Sequence, residues 1–337
     1  DTAEEVYRRF FDTSPYNALV TSRLLELLAR QRRFTESLRV LELVPRNSVA
    51  LSAHQIKAAI GRADYDAAIA ELEKRVARGD AEAASHVLLA RLVYAHQKDV
   101  NTALRQLEAA AVAEPDMLAI LSTRVAILHS EGRNQEALEL IDTEVAQRKD
   151  YSAYLLRAEF YSITGQPQKA EQDYLYLPSF PDMAVEGYKE LGDFYQREGR
   201  VDEAIAAWEK GVLLAPEHGG LNLHLVRALL FHPDTENQKR GRQMLETLLK
   251  LSPDDAALLS VKAGMLLGER DPSAKERAVR ILERVVQLNP GDVVAYHYLI
   301  ENARGRGELS KANQLAAQAI GANAGNVDLI LLRAELE

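Results

Sequence analysis

An all-α stack of antiparallel helix hairpins is the fold this sequence predicts, on two observations: one densely patterned window, and a spacing that repeats along the chain. The window is 187–216, GYKELGDFYQREGRVDEAIAAWEKGVLLAP. Tyr188, Leu191, Gly192 and Tyr195 follow at steps of three, one and three, which places them on one face of a first helix. After a break at Gly199-Arg200, Ala204, Trp208 and Gly211 form a second stripe at steps of four and three, and Pro216 ends that helix. Gly192 and Ala204 carry too little side chain to hold the two helices apart, and the aromatics fill the space around them.

The spacing recurs. A small residue opening each second helix can be followed as Ser37, Ala68, Ala103, Ala137, Ala170, Ala204, Gly241, Ala278 and Ala312, in steps of 31, 35, 34, 33, 34, 37, 37 and 34. Four residues further on stand Leu41, Leu72, Leu107, Ile141, Tyr174, Trp208, Leu245 and Leu282, with only Ala316 small. Pro115, Pro216, Pro253 and Pro290 close second helices. This set of positions resembles the tetratricopeptide repeat (TPR), a helix–turn–helix unit of about 34 residues. The resemblance implies a right-handed TPR superhelix, an α-solenoid in which each unit contacts mainly its neighbours.

A single solenoid over 1–337 is therefore expected, with about nine repeats in 18–325. Ala3, Tyr7, Phe10 and Pro15 repeat the spacing of Ala204, Trp208, Gly211 and Pro216, so 1–15 reads as the second helix of an incomplete repeat. Residues 326–337 read as an unpartnered first helix or a cap. Leu329, Ile330, Leu331 and Leu332 are apolar on several faces there, where a terminal cap should turn a polar face to water. A segment of a longer array is the expectation, with lone capping helices as the alternative.

Composition narrows the function. Hydrophobic residues make up 47% of the 337, enough for a core distributed along repeats. No run approaches the roughly 18 apolar residues of a membrane span, so direct membrane insertion is not expected. The absence of cysteine excludes disulfides, thiolate metal sites and cysteine nucleophiles, and suits an oxidising envelope space such as the periplasm. A net charge of −9 argues against nucleic acid as a partner, because non-specific binding rests on neutralising phosphates. The basic clusters at 30–33 and 239–242 fall at turns or helix starts and read as solvated charge.

Signatures of chemistry are missing. The eight histidines form no HExxH or other close ligand pattern, and there is neither a GxSxG nor a phosphate loop. Asp202-Glu203 and Asp254-Asp255 sit at helix starts, where negative charge complements the helix dipole. No catalytic residue, metal site or cofactor is expected, and the chain reads as non-catalytic. Seven of the thirteen tyrosines lie in 151–195, but Tyr154, Tyr161, Tyr174, Tyr188 and Tyr195 occupy packing positions.

What remains is the first-helix face offset from the packing stripe, which the resemblance assigns to a concave groove. On the best-patterned repeat it carries Glu186, Lys189, Asp193 and Gln196, at steps of three, four and three. Neighbouring first helices offer Ser152, Leu155, Glu159 and Ser162, then Ser122, Ala126 and His129, and near the C-terminus His297, Glu301 and Arg304. Such mixed polar and small apolar residues suit an extended peptide, although they would serve equally as a solvated face. As surface residues, Glu186 and Asp193 should each tolerate Ala within about 0.5 kcal/mol of stability. A clamp for acidic chaperone tails, which needs Lys and Asn on three first helices, is not expected. Of Ser22, Glu26, Ala53, Lys57, Leu88 and Leu92 at those sites, only Lys57 fits.

Three departures from the regular repeat stand out. HPDTENQK at 232–239 and GERDPSAKE at 268–276 are expected to lengthen the turns of two consecutive hairpins by about three residues each. Pro178 and Pro181 should break a second helix and leave 177–184 as a flexible joint. The function expected is a non-catalytic scaffold that binds a protein or peptide partner in its groove. Bacterial arrays in envelope assembly or exopolysaccharide export resemble this chain in their degenerate Ala-, Leu- and Arg-rich repeats without cysteine, which adds polysaccharide or export machinery as candidate partners. The alternatives are a regulatory or substrate-recruiting region of a larger enzyme, and direct binding of a cationic polymer.

Overall fold

The computed structural model describes residues 2–13, 17–44 and 49–322, together with Leu329 and Arg333. All regular structure among the described residues is helical. The chain forms two compact units, Asp1–Gln166 and Pro167–Glu337. The first holds α1 (Ala3–Thr13) and four hairpins: α2 (Ala18–Arg30) with α3 (Phe34–Glu42), α4 (Val49–Gly61) with α5 (Tyr65–Arg78), α6 (Ala83–Leu92) with α7 (Val100–Ala113), and α8 (Leu118–Ser130) with α9 (Asn134–Arg148). It closes with α10 (Tyr151–Ile163), packed on α9. The second opens with α11 (Pro167–Tyr176) and continues with α12 (Ala184–Arg197) and α13 (Val201–Leu214), then α14 (Gly219–Leu230) and α15 (Thr235–Leu251). The last two hairpins are α16 (Ala256–Leu267) with α17 (Pro272–Leu288) and α18 (Val293–Gly305) with α19 (Leu309–Ala322).

The recurring small residues do what their spacing requires. All nine, from Ser37 to Ala312, are buried, as are all nine residues four positions later, from Leu41 to Ala316. The tightest case is Gly192. A Cβ built there would lie 2.5 Å from Cδ1 and 2.7 Å from Cε2 of the fully buried Trp208, well inside contact distance. Tyr174, also buried, stacks on Phe194 with ring centroids 4.7 Å apart.

One turn design joins most of the hairpins. A residue in the left-handed region ends the first helix: Arg32, Ala63, Gly132, Gly199 and Gly307 have φ of 58°, 58°, 73°, 73° and 75°. The next amide then reaches back to a carbonyl five residues earlier, as Arg33 to Leu28 (2.8 Å), Arg133 to Leu128 (2.8 Å) and Arg200 to Tyr195 (2.9 Å). This satisfies carbonyls that the helix end would otherwise leave open. Between α6 and α7 the chain has one residue more, and Val93–Gln97 absorbs it as a π turn.

The two insertions correct the expectation of longer turns. The connections 231–234 and 268–271 lack a left-handed residue. Asp234 and Asp271 instead cap the next helix through the amides of Asn237 (3.0 Å) and Ser273 (2.9 Å), with Pro272 at the first helical position. The extra residues go mainly into the helices: α15 and α17 are each 17 residues long against 14 in α13.

Two further expectations need adjusting and others fall outside the described residues. In α1 the packed stripe runs through Tyr7 and Phe11, while Phe10 is 55% exposed; Pro15 lies outside the described residues. Prolines do end α11, with 3₁₀ turns at Leu177–Ser179 and Pro181–Met183. The joint is nevertheless packed, since Leu177 is fully buried and a Cβ on Gly187 would meet the Pro178 nitrogen at 2.6 Å. Most of 326–337 lies outside the described residues; Leu329 is buried in the cluster that includes residues of α17 to α19.

Gly192→Ala is expected to destabilise the protein by about 1–3 kcal/mol through overpacking. Trp208→Ala should cost about 3–5 kcal/mol through the cavity it leaves. Denaturant melts read both; a neutral Gly192→Ala would show that the two helices can separate at no cost.

Candidate functional site

First helices lie side by side within each unit, α2 with α4 and α6 with α8 in one, α14 with α16 in the other. Polar side chains tie successive first helices at a constant offset. The Ser22 hydroxyl lies 2.8 Å from Nε2 of His54, and Arg91 Nε donates to Thr123 Oγ1 at 2.9 Å. In the second unit the Ser260 hydroxyl donates to Asp292 Oδ2 at 3.2 Å, while Asp292 Oδ1 caps α18 through the Ala295 amide.

Asp193 is the centre of the densest of these ties. Its Oδ1 accepts from the indole Nε1 of Trp208 at 3.2 Å and lies 2.8 Å from His224 Nδ1; its Oδ2 accepts from Lys189 Nζ at 2.8 Å. The carboxylate thus joins α12, α13 and α14. The rings of Trp208 and His224 meet edge to face at 5.4 Å. Burial alone would push the Asp193 carboxyl up, but the bonds and charges of His224 and Lys189 prevail and hold it down at about 2. Only 17% of its side chain is exposed. The expectation that Asp193→Ala is neutral is therefore corrected: this is a half-buried hydrogen-bonding hub.

The other predicted residues are differently placed. In the first unit Ser122 turns its hydroxyl back to the Ala119 carbonyl at 3.3 Å. His129 bonds Asn134 at 2.8 Å and sits edge-on to Phe160, which makes it part of a hairpin end. Glu159 is exposed on α10. Leu92, taken for a groove position, is 8% exposed and belongs to the core. In the second unit Glu186 occupies the first turn of α12 and Gln196 its exposed last turn. On α18, His297 is exposed and Glu301 pairs with Arg304 at 3.4 Å.

A groove on the first-helix side of the second unit lies further along, a cavity of about 480 Å³ bordered by α14, α16 and α18. The stripe of Glu186, Lys189, Asp193 and Gln196, moved onto α16, falls on Ala257, Ser260, Gly264 and Leu267, and all four line the cavity. On α14 it gives Leu223 and Arg227, with Phe231 beyond; on α18 it gives Val294, beside Tyr298. Phe231 and Val294 are 63% and 80% exposed beside the cavity, large apolar side chains on adjacent elements. The guanidinium of Arg227 at the rim makes no hydrogen bond or ion pair among the described residues. Sequence reasoning carried the register onto α8, α10, α12 and α18 but not onto α14 and α16, and so missed these residues. The cavity takes Val294 and Tyr298 from α18 rather than His297 and Glu301.

Among the described residues no group of three or more His, Cys, Asp or Glu is placed to hold a metal, and no helix is long and apolar enough to cross a membrane. The groove offers apolar pockets, backbone-sized gaps at Ala257 and Gly264, and one cation.

Removal of the hub should be measurable as a pH effect. Asp193→Ala is expected to cost about 1–3 kcal/mol near neutral pH, because Trp208, His224 and Lys189 lose their shared acceptor. A carboxyl held below its unfolded value stabilises the fold above the ordinary carboxylate pKa, near 3.8, and loses that contribution as pH falls through about 2. The gap between wild type and Asp193→Ala should therefore narrow over that acid window; a gap independent of pH would remove the charged interaction.

The tetratricopeptide repeat family model matches residues 185–218, the repeat that holds the Gly192–Trp208 contact and Asp193. No curated protein matches the chain. A tetratricopeptide repeat protein from Parabacteroides merdae is similar at 17% identity, covering 81% of this chain and 99% of that one, with a TM-score of 0.47. A thermophilic TPR protein in Thermus thermophilus is similar at 22% identity over 53% of this chain and all of its own, with a TM-score of 0.37. Residues 185–218 thus match a tetratricopeptide repeat, set among helix hairpins in both units.

Proposed function

We propose that this protein is a non-catalytic scaffold that holds an extended segment of a protein partner in the groove of α14, α16 and α18. The observation that carries the reading is the coincidence of exposed apolar side chains, Phe231 and Val294, with small residues that let a peptide backbone approach α16. Ser260, Asn289 and Tyr298 supply hydrogen-bonding groups around them, and Arg227 offers a carboxylate partner at the rim. Shallow apolar pockets with dispersed polar groups suit a peptide rather than a small reacting substrate. Glu186, Lys189 and Gln196 extend the same face on α12 as further candidate contacts, with Glu159, Ser122 and His129 as candidates in the first unit and His297 and Glu301 on α18. A setting in bacterial envelope assembly or exopolysaccharide export rests on the character of the repeats alone; the genes beside this one would test it directly.

A displayed library of random peptides, panned against the whole chain, tests the groove. Enriched peptides are expected to be apolar with a scattered acidic residue. Their binding, followed by fluorescence anisotropy, should weaken about tenfold or more in Phe231→Ala and Val294→Glu, a loss of about 1.4 kcal/mol or more. Both positions are exposed, so thermal stability should stay near wild type. Enriched peptides that bind both variants unchanged would place the binding surface elsewhere.

A further inference from the structure

The helix α16 borders a second cleft. Its residues Leu259, Lys262 and Leu266 face a space of about 590 Å³ closed by α17 and the end of α15. They are offset by about two positions from the residues that line the first-helix groove, roughly 200° around the helix, so the two clefts lie on opposite sides of α16. The far wall is a stripe on α17, Arg277, Arg280 and Arg284, at steps of three and four. The floor is aliphatic, from Leu259, Leu266 and Ile281.

The charge of this cleft runs against that of the chain. Four cations and one carboxylate, Glu246, line it, in a protein of net charge −9. Two of the four cations are loosely paired. Lys262 is 3.9 Å from Glu246 and Arg277 is 3.9 Å from Glu269, both at the outer limit of an ion pair, while Arg284 holds Asp254 at 3.1 Å. Arg280 makes no hydrogen bond or ion pair among the described residues. Exposed pairs of this kind add little stability, so carboxylates arriving from outside can replace them at small cost.

We propose that this cleft docks an acidic segment of a partner protein, with an apolar side chain seated on Leu259, Leu266 and Ile281 and carboxylates on Arg280 and its neighbours. Arginine suits that role because its planar fork bonds a carboxylate through two parallel N–H groups. The aliphatic floor argues for a peptide over a nucleic acid: single strands seek aromatic faces for stacking, and none lines this cleft. The proposal is independent of the first-helix groove and uses no residue of it.

The test uses the whole chain and three fluorescent probes: an acidic peptide of about a dozen residues with leucine at every third or fourth position, an oligoglutamate of the same length, and a single-stranded oligonucleotide. The leucine-bearing acidic peptide is expected to bind best. Its affinity should fall about tenfold in Arg280→Glu and less in Arg280→Gln, should fall steeply between about 0.05 and 0.5 M salt, and should be unchanged in Phe231→Ala. Circular dichroism confirms that each variant stays folded. Equal binding of oligoglutamate or oligonucleotide would overturn the proposal by showing that the apolar floor is unused. No binding of the acidic peptide, or binding indifferent to both Arg280 variants, would also overturn it. Loss in Phe231→Ala alone would place the peptide in the other groove.

Discussion

Everything in this fold depends on how closely two helices can approach at one recurring position. The small residue near the start of each second helix is buried in both units, from Ser37 to Ala312. Where the residue four positions later is an aromatic, the first helix must also give way. Gly192 does so for Trp208, whose indole occupies the space that a side chain at 192 would need. Once the hairpin is closed, the direction of every first helix and the face it shows to solvent are determined. Groove, hub and outer cleft are consequences of that packing.

The second helices were highly legible in the sequence because their constraint is steric and repeats. A small residue followed four later by a large one, eight times in register, does not arise by chance in a helical chain. First helices carry less information. Their exposed stripe is free to vary, so the same register holds a carboxylate hub at Asp193, a cation at Arg227 and a bare backbone at Gly264. Only the folded structure shows that the first is satisfied by three neighbours while the third borders a cavity. The insertions misled for a related reason. Residue counting locates extra length but cannot say whether a turn or a helix absorbs it; Asp234 and Asp271, acting as caps, decide in favour of the helices. The double proline likewise marked the end of α11 correctly, whereas the burial of Leu177 that makes the joint firm depends on Gly187 in the next helix.

Two ways of using a first-helix face thus coexist in the second unit. On α12 the stripe is turned inward by its own chemistry, because a half-buried carboxylate with three donors is worth more as a structural tie than as a ligand contact. On α16 the stripe is nearly featureless and leaves the backbone open at Ala257 and Gly264. The helix with the clearest family pattern is consequently the one whose exposed stripe is most occupied by the protein itself.

The Asp193 tie also bears on how the protein comes apart. In a linear stack, unfolding spreads by breaking one neighbour interface at a time, and cooperativity depends on the strength of each interface relative to the hairpin's own stability. A carboxylate shared among α12, α13 and α14 fuses two hairpins into one block that cannot lose either member without stranding charge. Partial unfolding of the second unit should then stop at the edges of that block, leaving α12 to α15 as the last structured remnant.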